Sequence, residues 1–170
     1  MLTKKVEEAL NAQIIKEDYS SQLYLAMASW AETNGLGGVA DWLYAQAEEE
    51  RMHMLKFVRY VNEMDGVAVI PGLEQPPRTF DDVKSLFDKV QAHERYISKS
   101  IHDIVSVCLE EKDMATHTWI QWFVTEQIEE EASVRTIIDK LKLVGTTHLY
   151  MFDRDIMSLR TAGGGGGETA

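Results

Sequence analysis

All three prolines of the chain, Pro71, Pro76 and Pro77, fall inside one segment, Asp65 to Phe80, which also holds Gly66 and Gly72. Proline inside a helix removes a hydrogen bond and clashes with the preceding turn, so it marks where helices cannot be. On either side of this segment apolar residues recur every three or four positions, the period of an amphipathic helix. The spacing predicts four long helices, roughly Thr3–Glu32, Leu36–Met64, Asp81/Asp82–Glu111 and Asp113–Gly145, and a short fifth over about Thr147–Leu159. Asn34-Gly35, Gly66 and Gly145 are stop signals, and the Asp81/Asp82 pair is a good start. Helices of about 28–30 residues span about 42–45 Å, long for a globular domain.

The connections set the topology. The first and third turns are short and join antiparallel neighbours, whereas the proline segment can travel the length of a bundle. Two hairpins joined by one long crossover make an all-α four-helix bundle. The 170 residues suit one domain, placed over residues 1–160, with 161–170 as a flexible tail containing the run Gly163–Gly167. At 45% hydrophobic, the chain can bury a core without staples. Its net charge of −11 argues against nucleic acid and anionic membrane surfaces as partners. A lone cysteine, Cys108, makes no internal disulfide and calls for no oxidising compartment. Neither a secretory h-region nor a membrane-length apolar run is visible, so a soluble, cytoplasmic protein is expected.

Each helix interrupts its own apolar stripe with polar residues. The first stripe reads Leu10, Ile14, Glu17, Ser21, Tyr24, Ala28. The second reads Val39, Leu43, Ala47, Glu50, His53/Met54, Phe57, Val61. The third runs Val83, Leu86/Phe87, Val90, Glu94, Ile97, Ile101, Ile104, Cys108, and the fourth Ile120, Phe123/Val124, Gln127, Glu130, Val134, Ile137/Ile138, Leu141. Thus Glu17, Glu50, Glu94 and Glu130 all sit mid-stripe, and Glu50-x-x-His53 and Gln127-x-x-Glu130 each put a second polar group on the same helix face. Taken singly, Glu-x-x-His or the runs Glu48-Glu49-Glu50 and Glu129-Glu130-Glu131 are ordinary features of a solvated helix. Solvated charges would not fall on the core stripe of all four helices at similar depth. Buried carboxylates without partners are costly and repel one another, and a cation resolves both problems. Oxygen ligands plus one imidazole suit a first-row transition metal better than calcium. Trp119, Trp122 and Phe123 are expected to fill core, and His93, His102, His117 and His148 to lie at the surface.

Over about residues 1–160 the sequence resembles a bacterial-type non-haem ferritin, a ferritin-like four-helix bundle with a short fifth C-terminal helix. The residues that carry the likeness are Glu17 with Tyr24, Glu49-Glu50-Arg51-Met52-His53, His93-Glu94, and Glu126-Gln127-Ile128-Glu129-Glu130-Glu131. Members of the wider di-iron carboxylate class carry a Glu-x-x-His on two helices; here Gln127-x-x-Glu130 replaces the second, as in ferritin proper rather than bacterioferritin or rubrerythrin. Bacterioferritin ligates haem through a methionine directly after the Glu of Glu-x-x-His. That position is Arg51 here, so no haem is expected.

The resemblance implies an iron-storage ferroxidase with a di-iron centre. Glu17, Glu50 and His53 would hold the first iron. Glu94 and Glu130 would hold the second, with Glu50 bridging and Gln127 placing water or oxygen nearby. Tyr24 would hydrogen-bond near Glu94 and supply an electron during oxygen reduction. Glu49, Glu126 and Glu129, with Glu130, look like a third iron site. The oxidant would be O2 or H2O2, and the product a ferric mineral inside a homo-oligomeric shell of 24 subunits. His117 and Ile120 stand where animal ferritins have channel carboxylates, and Met52 and Leu55 where they have nucleation carboxylates. Two other readings stay open from sequence: a di-iron oxidase or peroxidase acting on a small substrate without storage, and a structural cage subunit with a silent centre.

Overall fold

The computed structural model describes residues 2–145 and 147–160; the glycine-rich tail lies outside them. Five α-helices follow in order, α1 (Lys4–Thr33), α2 (Gly37–Glu63), α3 (Val83–Glu110), α4 (Met114–Val144) and α5 (Leu149–Asp155), the last running into a 3₁₀ turn at Ile156–Leu159. No strand occurs among the described residues. The fifth helix is shorter than the sequence spacing suggests, because its continuation tightens into that turn.

Side chains close the helix starts. Thr3 Oγ1 accepts from the Val6 N–H at 3.4 Å, Asp82 and Ser85 form a reciprocal capping box, and Asp113 accepts from the Thr116 N–H at 2.9 Å. The end of α2 departs from expectation. Asp65, not Gly66, takes the left-handed conformation (φ 62°), and the Gly66 N–H closes onto the Val61 carbonyl at 2.9 Å. Aspartate tolerates this region better than most non-glycine residues.

Two apolar clusters fill the bundle, one at each end. The first joins the C-terminal half of α1 (Leu23 to Ala31), the N-terminal half of α2, the start of α3 and the end of α4, and α5 closes it with Phe152 and Ile156. The second joins the start of α1, the end of α2, the end of α3 and the start of α4. This pairing of halves makes each hairpin antiparallel, and it means that the crossover after α2 carries the chain from one end of the bundle to the other. The crossover is strapped to the outside of α1. Val67 N–H donates to Glu7 Oε1 at 3.0 Å, Asn11 Nδ2 donates to the Val67 carbonyl at 3.0 Å, and Val69 N–H donates to Asn11 Oδ1 at 2.7 Å.

The fifth helix docks by close approach. A Cβ on Gly38 would lie 1.7 Å from the Asp153 carbonyl oxygen, so only glycine fits there. In return Asp153 Oδ1 accepts from the Val39 N–H at 2.9 Å. Among the aromatics, Trp119 stacks on Tyr60 at 3.9 Å between ring centres. Trp122, expected in the core, is 41% exposed. Cys108 is buried, and burial pushes its thiol up to about 11, leaving it a poor nucleophile.

Candidate metal centre

A polar layer lies between the two apolar clusters. Burying the apolar residues of each stripe carries the polar one between them inward, and so Glu17 on α1, Glu50 and His53 on α2, Glu94 on α3, and Gln127 and Glu130 on α4 are all at most 6% exposed.

Glu17, Glu50 and His53 form one group, offering one ligand atom each with all three atoms within 4.8 Å of one another. His53 Nδ1 is 3.3 Å from Glu50 Oε2. Glu17 Oε1 accepts from Gln13 Nε2 at 2.7 Å, and Gln13 is fixed in turn by Ser100 Oγ at 2.8 Å. Glu17 Oε2 and Glu50 Oε1 are buried with no hydrogen-bond partner among the described residues. Unsatisfied buried acceptors are rare because each carries the full cost of leaving water. Two of them beside an imidazole fit a metal ion, which would use the lone pairs that nothing else engages.

The carboxylates of α3 and α4 are held differently. Tyr24 donates its hydroxyl proton to Glu94 Oε1. Gln127 Nε2 donates to Glu94 Oε2 at 3.1 Å, and Gln46 Nε2 donates to Glu130 Oε2 at 2.7 Å.

The electrostatics reflect this crowding. Burial first, then repulsion from Glu94 and Glu17, raises Glu50 well above the usual carboxylate range. Glu130 is raised likewise, by burial and then by Glu94 and Glu50. Burial raises Glu94 to about 6, moderated by the donors Tyr24 and Gln127. Tyr24 is itself driven well up by burial and by Glu94, so its phenol keeps its proton. The layer therefore takes up protons when no metal is bound and exchanges them for cations.

A second group flanks the first: Glu49, His53 and Glu126 also offer ligand atoms mutually within 4.8 Å. Glu126 is buried and Glu49 half-buried, and burial raises Glu126. Glu129, named with them from sequence, is exposed and belongs to neither group.

The sequence stripes missed the residues that hold the ligands. Gln13 lies four positions before Glu17, and Gln46 four before Glu50, so a search for amides at the same helical step would have found both. His93, expected at the surface, is half-buried. Its Nε2 is 2.7 Å from Ser20 Oγ, its ring meets the Tyr24 ring edge-on at 5.8 Å, and burial lowers it to about 4. Trp122 sits edge-on to His53 at 5.5 Å and carries the Lys56 ammonium over its face at 3.6 Å.

Known proteins share this fold. The family model for the ferritin-like domain matches residues 7–144. A bacterial non-heme ferritin of Campylobacter jejuni is 42% identical, covering 94% of this chain and 96% of the relative. A probable bacterial non-heme ferritin-like protein of Haemophilus influenzae is 37% identical over 95% of this chain and 99% of its own length. Among solved structures, an open pore ferritin from the hyperthermophilic archaeon Archaeoglobus fulgidus superposes with a TM-score of 0.90 at 41% identity, covering 94% of this chain and 98% of that one. With the bundle, the crossover and the buried polar layer all in place, the chain belongs to the ferritin family of iron-storage proteins.

Proposed function

We propose that this chain is the ferroxidase subunit of an iron-storage shell, oxidising Fe(II) with O2 or H2O2 and depositing it as a ferric oxide mineral inside a cage of 24 copies. The observation that carries the reading is the pair of buried, unpartnered carboxylate oxygens, Glu17 Oε2 and Glu50 Oε1, beside His53. In this reading Glu17, Glu50 and His53 take the first Fe(II), Glu94 and Glu130 the second, and Glu50 lies between the two. Each Fe(II) gives up one electron, so a pair delivers the two electrons that reduce dioxygen to the peroxide level. Hard carboxylate ligands favour Fe(III) over Fe(II) and so favour the oxidation. Gln127 orients Glu94 and the oxygen side of the site. Tyr24 holds Glu94 through its hydroxyl and is placed to supply a further electron. Glu49 and Glu126, with Glu130, receive a third ion on the way out; the exposed Glu129 is left out of this set. No haem enters the scheme, since Arg51 stands at the haem-ligand position.

Support for a shell comes from the surface. Ile15 and Leu25 on α1, with Val67, Val69 and Ile70 on the crossover, are large apolar side chains exposed by 43–69%; copies of the chain can cover them. No described helix is long and apolar enough to cross a membrane, in keeping with a cytoplasmic role for one ferritin-like domain over residues 1–160.

The test is aerobic Fe(II) addition, following oxygen uptake and the near-ultraviolet rise of Fe(III), with Glu50→Ala in parallel. The wild type oxidises Fe(II) rapidly and the variant does not; equal initial rates would remove the proposed centre. A particle of several subunits' mass by size exclusion is expected, and a monomer would leave no cavity for storage.

A further inference from the structure

The C-terminal segment reaches back into the polar layer. Phe152 and Ile156 are buried in the apolar cluster at that end of the bundle and Leu159 packs against it, which delivers Arg160 to the flank of α2. There one guanidinium nitrogen is paired with Glu49 Oε2, while another donates to Gln46 Oε1 at 3.3 Å. Fixing the Gln46 carbonyl on Arg160 turns its amide nitrogen the other way, onto Glu130 Oε2 at 2.7 Å. Arg160 thus acts on two carboxylates, directly on Glu49 and through Gln46 on Glu130. The planar fork of arginine suits this double contact, and a lysine ammonium cannot reproduce it.

We propose that Arg160 is a resident counter-cation that occupies the carboxylates of the flanking group, so that a third metal ion binds between Glu49 and Glu126 only after displacing it. The proposal rests on the reading of the polar layer as a metal centre and adds a gate to it. Glu49 and Glu126 share His53 as neighbour and lie within one ion's reach of each other, and two carboxylates so placed repel unless a cation sits with them. Lys56 also faces Glu126, but its ammonium is seated on the Trp122 ring. Among the described residues Arg160 is the cation in contact with Glu49. The ion pair is only partly exposed, at 25% and 16% for the two side chains, so it is not cancelled by solvent as a surface pair would be. A metal ion entering here must break a charge-assisted hydrogen bond, and leaving the site restores it. That lowers the affinity of the third position and keeps ions moving past it rather than resting there. Arg160 is a positioning residue in this scheme and touches neither member of the first pair.

Zinc(II), which has no redox chemistry, separates binding from oxidation. It is titrated calorimetrically into assembled wild-type protein and into Arg160→Gln and Arg160→Lys. The first ion per subunit binds alike in all three proteins, and the second shifts by no more than about threefold, since Arg160 reaches Glu130 only through Gln46. The third binds about tenfold tighter in Arg160→Gln, the scale of one lost charge-assisted hydrogen bond, and Arg160→Lys falls between. Crystals soaked at limiting zinc then show stronger anomalous density between Glu49 and Glu126 in Arg160→Gln. Equal third-ion affinity in wild type and Arg160→Gln, or weaker binding in the variant, would overturn the gate. Wild-type protein that fails to bind the first two ions would instead overturn the centre beneath it.

Discussion

The two halves of the polar layer carry similar side chains in different states. On the α1–α2 side, Glu17 and Glu50 each leave one buried oxygen without a hydrogen-bond partner among the described residues. On the α3–α4 side, Glu94 is held by Tyr24 and Gln127, and Glu130 by Gln46. The first half is arranged for a ligand that the protein does not provide. The second is already satisfied by protein donors, and a metal there must compete with them. A single layer can in this way offer one tight and one exchangeable position without changing ligand type.

The largest effect that would break this contrast is His53→Ala. It should weaken the first zinc(II) ion by about a hundredfold or more and the second by much less, since loss even of a ligand's supporting contact costs about 10–100-fold; equal losses in calorimetry would show that the halves are not distinct. Next comes pH. Glu94 has its folded-state value raised from 4.5 to about 6, so its protonated form contributes stability that is fully present below 4.5 and lost as pH rises through about 6. Glu50 and Glu130, also raised by burial and mutual repulsion, contribute in the same sense. The unfolding temperature of metal-free protein should fall as pH rises from about 4.5 through about 6 on account of Glu94, and zinc(II) should remove the trend; scanning calorimetry with and without zinc reads both. Tyr24→Phe removes a donor that favours the Glu94 carboxylate, so the protonated carboxyl band of Glu94 in the infrared should persist to higher pH than in wild type. The smallest effect belongs to Gln46→Met, which frees Glu130 Oε2 from its amide and should tighten the second zinc(II) ion by about threefold, a fraction of one hydrogen bond.

Much of the fold was legible because the signals were local. Three clustered prolines dictated the crossover, and the apolar stripes named the buried faces so closely that Val124 alone among their members is only half-buried. The mid-stripe carboxylates followed from the same periodicity. What could not be read depended on contacts between distant parts of the chain. His93 is half-buried, and only the packing of Ser20 and Tyr24 against it decides how much of it is covered. Trp122 looks like core by type, yet it falls between the stripe positions Ile120 and Phe123 of α4 and stays exposed, with its ring edge-on to His53. Arg160 has no motif at all, and its role comes from a segment docking 114 positions away from Gln46.

That docking bears on the order in which the molecule can be made. The backbone of α2 begins with no side-chain cap of its own; the Val39 N–H finds its acceptor in Asp153, 114 residues later. During synthesis that acceptor does not exist until residue 153 has been made, so the start of α2 is completed only when the domain closes as a unit. A chain cut short after α4 would keep all four long helices and every carboxylate of the polar layer, and still lack the piece that finishes its second helix.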